Sequence, residues 1–154
     1  MSETAAVIFQ ANALARRGHV DEAKSLLASE LARDPDQTDV LHTLAYLELS
    51  IDNTSHALAL AQRCVEISGG AYAELILLVD CLRFSGQWRQ AEDAARACLA
   101  MAPDDTTSML LLANCLMAQT KAQTNNIWAA GPISDQESRL KARESRDLMR
   151  RAQE

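Results

Sequence analysis

The sequence predicts an all-α protein built from antiparallel helix pairs. Apolar residues make up 48% of the 154 residues but aromatic residues only 4%, so Ala and Leu dominate the apolar content. These two residues favour helices, whereas strands favour β-branched and aromatic residues. Small residues, turn residues and residues that end helices also recur every 34 positions, which indicates repeated helical units.

Three kinds of residue mark this period. Small residues that let helices approach, turn residues and helix stops each recur in three copies. They are Ala23, Ala57 and Ala91, then Gly18, Asp52 and Gly86, and finally Pro35, Gly69 and Pro103. Because three independent markers share one spacing, the chain is predicted to repeat a single structural unit.

Each unit is predicted to be a helix, a tight turn and a second helix. The apolar residues of each first helix follow helical spacing. They are Val7, Ala11 and Leu14, then Leu41, Leu44 and Ala45, and then Leu75, Leu78, Val79 and Leu82. The second helices of the first and third units carry acidic residues near their start, in "VDEA" and "AEDAA", which suit the positive end of a helix dipole.

This pattern resembles the tetratricopeptide repeat family, whose unit is a 34-residue antiparallel helix pair. The matching residues are Ala11, Leu14, Gly18, Ala23, Leu27 and Pro35; Leu41, Leu44, Ala45 and Ala57; and Leu75, Leu78, Leu82, Gly86, Ala91 and Pro103. The resemblance implies an α-α superhelix, a solenoid of antiparallel helix pairs with repeats at 4–37, 38–71 and 72–105 and a partial fourth. The expected organisation is a solenoid over 1–120, a linker over 121–134 and a charged C-terminal capping helix over 135–154.

The chain departs from the family pattern at several positions. Val7, Leu41 and Leu75 replace the usual early aromatic residue, and Glu30 stands where a small residue is normal. Gly69-Gly70 replaces the proline of the second unit. Since glycine frees the backbone where proline fixes it, this joint is expected to be looser or differently angled.

The fourth unit has a first helix at 106–120 and then loses the repeat pattern. Ser134 and Glu137 form a Ser-x-x-Glu capping box before the last helix. Its sizeable apolar residues are Leu140, Leu148 and Met149. We expect a solvating cap for the open end of the stack, or alternatively a helix that docks on a partner or on a second copy. Trp128 either anchors the preceding linker to the core or is an exposed contact.

In proteins that this chain resembles, the first helices line a concave face that holds a polypeptide. The implied groove residues are Ile8, Asn12, Arg16, His42, Tyr46, Leu49, Ile76, Asp80, Arg83, Phe84, Leu110, Asn114 and Met117, together with Ala15 and Ser50. Apolar members are expected to bury peptide side chains and polar members to fix register. His42 is also a candidate for a pH-sensitive contact.

The resemblance implies a non-enzymatic adaptor, scaffold or chaperone. One alternative is a bacterial type III secretion-type chaperone, and another is a self-assembling protein that oligomerises through repeat ends or its C-terminal helix. Family members that grip acidic C-terminal peptides use Lys, Asn, Asn, Lys and Arg. The corresponding positions hold Ile8, Asn12, Thr43, Ala73 and Leu77, which excludes that clamp.

Charge and composition argue against nucleic-acid-binding, membrane-inserted and secreted proteins. Residues 1–105 carry 8 basic and 16 acidic side chains, against 7 and 5 in residues 106–154. Such an acidic body is unsuited to nucleic acid. No apolar run is long enough for membrane insertion, and no secretory signal is recognisable, so a cytoplasmic protein is expected.

No catalytic constellation, metal motif or cofactor motif is recognisable. The four cysteines, Cys64, Cys81, Cys98 and Cys115, lie 17 residues apart. Structural zinc sites use closely spaced cysteine pairs, so these thiols are predicted to be core residues instead.

Overall fold

A computed structural model describes residues 3–125 and 135–154, and the side chains of 122–125 and 135 lie outside that description. The described residues form eight α-helices and no strand. The helices are α1 (Glu3–Arg16), α2 (Val20–Arg33), α3 (Thr38–Ser50), α4 (Thr54–Ser68), α5 (Tyr72–Phe84), α6 (Trp88–Met101), α7 (Thr106–Asn125) and α8 (Asp135–Arg151). The predicted all-α class is confirmed. Trp128 and the Ser134 half of the capping box lie outside the described residues.

The turns inside the first three 34-residue repeats share one backbone conformation. Gly18, Asp52 and Gly86 all have positive φ, at 86°, 59° and 74°. Asp52 is the one non-glycine residue with positive φ in the described part of the chain. Side chains other than those of Asn and Asp rarely tolerate this left-handed region, so the period-34 turn residues are set by backbone geometry.

The second helices end where the sequence predicts a stop. α2 ends at Arg33, before Pro35, and α6 ends at Met101, before Pro103. α4 ends at Ser68, and Gly69 takes the left-handed conformation of a helix C-cap with φ 68°. The Gly70 amide then donates to the Val65 carbonyl at 2.9 Å, which satisfies a carbonyl left open by the helix end.

The helices divide into two compact units, each larger than one 34-residue repeat, and "unit" refers to these two from here on. The first, Met1–Ser85, contains α1 to α5. In it α1 packs on α2 and α3 packs on α4, and the first helices α1, α3 and α5 are neighbours. Ala23 and Ala57 are fully buried, since a small side chain allows close contact between the helices of a pair.

The second unit, Gly86–Glu154, contains α6 to α8, and α7 packs against both of the others. α7 continues to Asn125, five residues into the segment expected to be a linker. In α8, Ser145 and Leu148 are buried, whereas Leu140 is 59% exposed. α8 therefore packs on α7 through a narrow seam that leaves most of its charged side chains in solvent.

A charged network fixes α8 to its neighbours. Glu92 of α6 accepts hydrogen bonds from Gln119 at 2.7 Å and from Lys141 at 3.2 Å. Arg96 bonds both Glu92 and Glu144. Burial raises the pKa of Glu92, but the bonds from Gln119, Arg96 and Lys141 outweigh it and leave the pKa lowered. The carboxylate is therefore ionised at neutral pH and ties all three helices of the unit together.

The four cysteines are buried and form no disulfide among the described residues, which agrees with their prediction as core residues. Cys64 and Cys81 belong to one core cluster of the first unit, with Leu41 and Leu77. Burial is the main cause that raises the pKa of Cys64 to about 11 and that of Cys81 to about 12. Both thiols therefore stay protonated at neutral pH and act as small core residues.

Candidate functional site

A pocket opens between the first helices α1 and α3 of the first unit. Its volume is about 390 Å³. Apolar and small side chains form one part of the lining and polar side chains the other. The lining residues are Ala11, Ala15, Leu27 and Leu47, with Asn12, His42, Thr43, Tyr46 and Ser50. An apolar floor with a few polar groups is typical of a site that buries part of a ligand and orients it.

Repeat register explains why the pocket lies at the first pair. Ala15 occupies the same position in its helix as Leu49 in α3 and Arg83 in α5, each 34 residues further along. The short side chain leaves space that a larger one would fill. Ala11, which is also small, lines the same opening.

A polar cluster follows the pocket along the first helices. The Tyr46 hydroxyl donates to Oδ2 of Asp80 at 3.5 Å, and Nη1 of Arg83 donates to Oδ1 at 2.9 Å. The His42 ring meets the Tyr46 ring edge-on, with centroids 5.1 Å apart. The aromatic ring of Tyr46 is thereby held from two sides, although the side chain is 40% exposed.

Burial sets the protonation of this cluster. It is the largest cause that raises the pKa of Tyr46 to about 12, and the Asp80 charge adds to it. Burial also raises the pKa of Asp80, against the opposing effects of Arg83 and Tyr46. The phenol therefore remains protonated at neutral pH, where its hydroxyl donates to Asp80 and can still accept a hydrogen bond.

The predicted groove residues of the first unit lie on α1, α3 and α5. Asn12, Arg16, Tyr46 and Phe84 are exposed, whereas the other six are partly buried: Ile8, His42, Leu49, Ile76, Asp80 and Arg83. Ile8 and Leu49 also pack against core clusters, so part of each side chain serves the core. We call this surface, defined by these ten residues, the first-helix face.

The remaining predicted groove residues lie on α7 of the second unit. Leu110 and Asn114 are exposed there, and Met117 is partly buried. Asn114 has the same repeat position as Asn12, Tyr46 and Asp80. α7 therefore carries an exposed polar group at the register that is polar in each earlier first helix.

Sequence reasoning missed four residues that line the pocket. Ala11 was assigned to the core stripe, Leu27 was named only as a residue that matches the repeat family, Thr43 only as a position of the absent clamp, and Leu47 was not named. Leu27 belongs to a second helix, so first-helix periodicity could not include it. The sequence feature that could have predicted the pocket is Ala15, which is smaller than Leu49 and Arg83 at the same repeat position.

The described parts of the chain hold neither a metal-binding cluster nor a membrane-spanning helix. Residues 3–125 and 135–154 bring together no group of three or more His, Cys, Asp or Glu side chains that could hold a metal ion. Among the helices that the structure describes, none has the length and apolar character required to span a bilayer.

Comparison with known proteins supports the fold and identifies neither a family nor a function. No protein-family model matches the chain, and no curated protein matches it in sequence. Solved structures of MamA, a helical repeat protein of the tetratricopeptide type, are similar to it in fold. MamA MSR-1 has a TM-score of 0.67 at 18% identity, covering 95% of this chain and 76% of that one.

Two further MamA structures agree. MamA 41-end from Desulfovibrio magneticus RS-1 gives a TM-score of 0.65 at 14% identity and covers 99% of this chain and 97% of that one. MamA AMB-1 gives 0.65 at 18% identity, with 92% and 70% covered. The chain thus shares the fold of a tetratricopeptide-type helical solenoid.

Proposed function

We propose that the chain is a non-enzymatic adaptor, scaffold or chaperone that binds a polypeptide segment on its first-helix face. The observation that carries this proposal is the pocket between α1 and α3, with an apolar floor and a polar rim. Exposed aromatic side chains at Tyr46 and Phe84 extend the surface along the same helices. Aromatic residues supply much of the binding energy in protein interfaces.

Binding would combine two kinds of contact. An apolar side chain of the partner would enter the pocket above Ala15 and Leu47, which removes apolar surface from water. Asn12, Tyr46 and Asp80 lie at one repeat position on successive first helices and would hydrogen-bond the partner's backbone. The first contact gives affinity, and the second fixes register.

The test begins with a phage-displayed library of short random peptides panned on the whole chain. Affinities of the selected peptides are then measured by fluorescence anisotropy. Replacing Tyr46 by Ala removes the ring beside the pocket, and replacing Phe84 by Ala removes the most exposed aromatic contact of α5. Each variant should weaken binding by about tenfold or more, the effect of losing an aromatic anchor.

Ile67→Ala provides the matched control. Ile67 is a 39% exposed apolar residue on the second helix α4, outside the first-helix face. Its removal should leave affinity unchanged, and circular dichroism should show the same helicity in all variants. Equal affinity of the wild type and the Tyr46 and Phe84 variants would refute the proposal.

Self-assembly through α8 is the competing proposal. The Glu92 network, the Arg96–Glu144 pair and the bond from Ser145 to the Ala113 carbonyl at 3.0 Å hold α8 within its own unit. Exchange of α8 between copies would break these contacts and remake them with the partner copy, so the mass in solution separates the two proposals. Light scattering on the whole chain measures the mass directly. A concentration-dependent dimer that dissociates when Lys141 is replaced by Ala would favour assembly.

We further propose that the protein acts in the cytoplasm, where thiols remain reduced. The secretion chaperone is a narrower version of the same proposal. It requires an unfolded secretion substrate as the partner, and co-purification of such a substrate would support it.

A further inference from the structure

Four arginines form a straight cationic stripe on α8. Arg139, Arg143, Arg146 and Arg150 follow one another at intervals of four, three and four residues. This spacing places them on one side of a helix, over a length of about 16 Å. All four are exposed. The stripe belongs to the second unit and shares no residue with the first-helix face.

The acidic residues of α8 do not neutralise this stripe evenly. Glu144 points to Arg96 of α6, and Glu137 lies 3.4 Å from Lys141 on the docked side. Asp147 pairs with Arg150 at 3.0 Å. Among the described residues, Arg143 and Arg146, in the middle of the stripe, take part in no ion pair. The helix thus turns two of its acids toward its own unit and leaves these two arginines exposed.

We propose that this arginine stripe binds an acidic amphipathic helix of a partner protein. The four-three-four spacing is the spacing at which two packed helices meet, so a partner helix with carboxylates at the same interval would align with it. Arginine binds carboxylates with two parallel hydrogen bonds, which gives direction as well as charge attraction.

Two observations favour a protein over a phosphate backbone. Leu140 is 59% exposed one turn before Arg143, and it offers an apolar contact that suits an amphipathic helix. The chain as a whole carries a net charge of −6, so it repels a polyanion such as nucleic acid or an anionic membrane at a distance. A short helix with a few carboxylates meets much less of this repulsion.

The experiment uses a synthetic helical peptide with Glu at four-three-four spacing and one Leu beside them. A matched peptide carries Gln at the same positions. Fluorescence anisotropy with the whole chain should show binding of the Glu peptide that weakens as salt is raised, and much weaker binding of the Gln peptide. Replacing both Arg143 and Arg146 by Gln should weaken the Glu peptide by about tenfold.

The double replacement Arg17→Gln and Arg89→Gln is the control, because both residues are exposed and the change in net charge is the same. It should leave affinity within about twofold, since charges outside a contact act weakly. Failure of the Glu peptide to bind, or equal binding by the Arg143/Arg146 variant, would overturn the proposal. Tighter binding of duplex DNA or of phosphatidylserine vesicles at the same salt would overturn it too, and would assign the stripe to phosphates.

Discussion

A single buried carboxylate holds the second helix pair to the first. Glu48 is fully buried on α3, and Lys24 of α2 and His56 of α4 lie 2.9 and 3.0 Å from its Oε1. The Asn53 side chain donates to its Oε2 at 2.7 Å. Leu14 and Leu82 occupy the same repeat position, so this charge replaces a core leucine. Its partners come from α2, from the turn before α4 and from α4, so the carboxylate links α3 to both neighbouring helices.

Replacing Glu48 tests this role. Glu48→Ala should lower the free energy of unfolding by about 2 kcal/mol, because Lys24 and Asn53 lose their shared acceptor and a cavity remains. Glu48→Leu restores the residue found elsewhere in the repeat and should cost less, since an apolar side chain of similar size often replaces a buried ion pair without loss. Urea denaturation at neutral pH measures both. A Leu variant less stable than the Ala variant would contradict this account.

The same carboxylate predicts a pH dependence. Burial raises the pKa of Glu48, but hydrogen bonds from Lys24, Asn53 and His56 outweigh it, so the folded pKa lies below the ordinary 4.5. Its stabilisation is therefore complete above pH 4.5 and is lost as the pH falls through the lowered folded value. Between neutral pH and about pH 3 the wild type should lose more stability than Glu48→Leu. Parallel curves for the two proteins would exclude this contribution.

Among the helices, α8 shows how a strongly charged segment can still pack. Its seam depends on Ser145, which is 1% exposed and donates to the Ala113 carbonyl of α7. A small side chain is needed where two helices approach closely, as at Ala23, Ala57 and Ala91 in the earlier second helices. α8 thus uses the same means of packing as the second helices that precede it.

Size at position 145 should therefore matter more than polarity. Ser145→Ala loses one buried hydrogen bond and should lower the free energy of unfolding by about 1 kcal/mol. Ser145→Leu must push the helices apart and should lower it by about 2 kcal/mol or more. Thermal unfolding followed by circular dichroism compares them. If the Leu variant were as stable as the Ala variant, the close approach of α7 and α8 would be wrong.

Across the chain, the helices and the turn residues could be predicted from the sequence, but the contacts between helices could not. Gly18, Asp52 and Gly86 could be identified from sequence because a left-handed turn restricts the residue that occupies it. The burial of Glu48 and the seam at Ser145 could not, since each depends on partners contributed by other helices. α8 was expected from sequence as a charged helix, but its docking through Glu92 and Arg96 was not.

The candidate site was likewise predictable from the sequence only in part. The resemblance to the repeat family identified the side chains on the first helices, including Asn12, Tyr46 and Asp80, and the 34-residue period places these three at equivalent positions. The pocket itself required the structure, because its floor includes Leu27 from a second helix and its opening depends on the short side chain of Ala15.

We expect a polypeptide to bind across α1 and α3 of the first unit. A two-dimensional NMR titration of the isotopically labelled chain with a library-selected peptide locates the binding surface residue by residue. The largest shift changes should fall on the Asn12 side-chain amide and on the backbone of α1 and α3 around Ala15 and Tyr46. Changes confined to α4 or α8, with α1 and α3 unaffected, would contradict it.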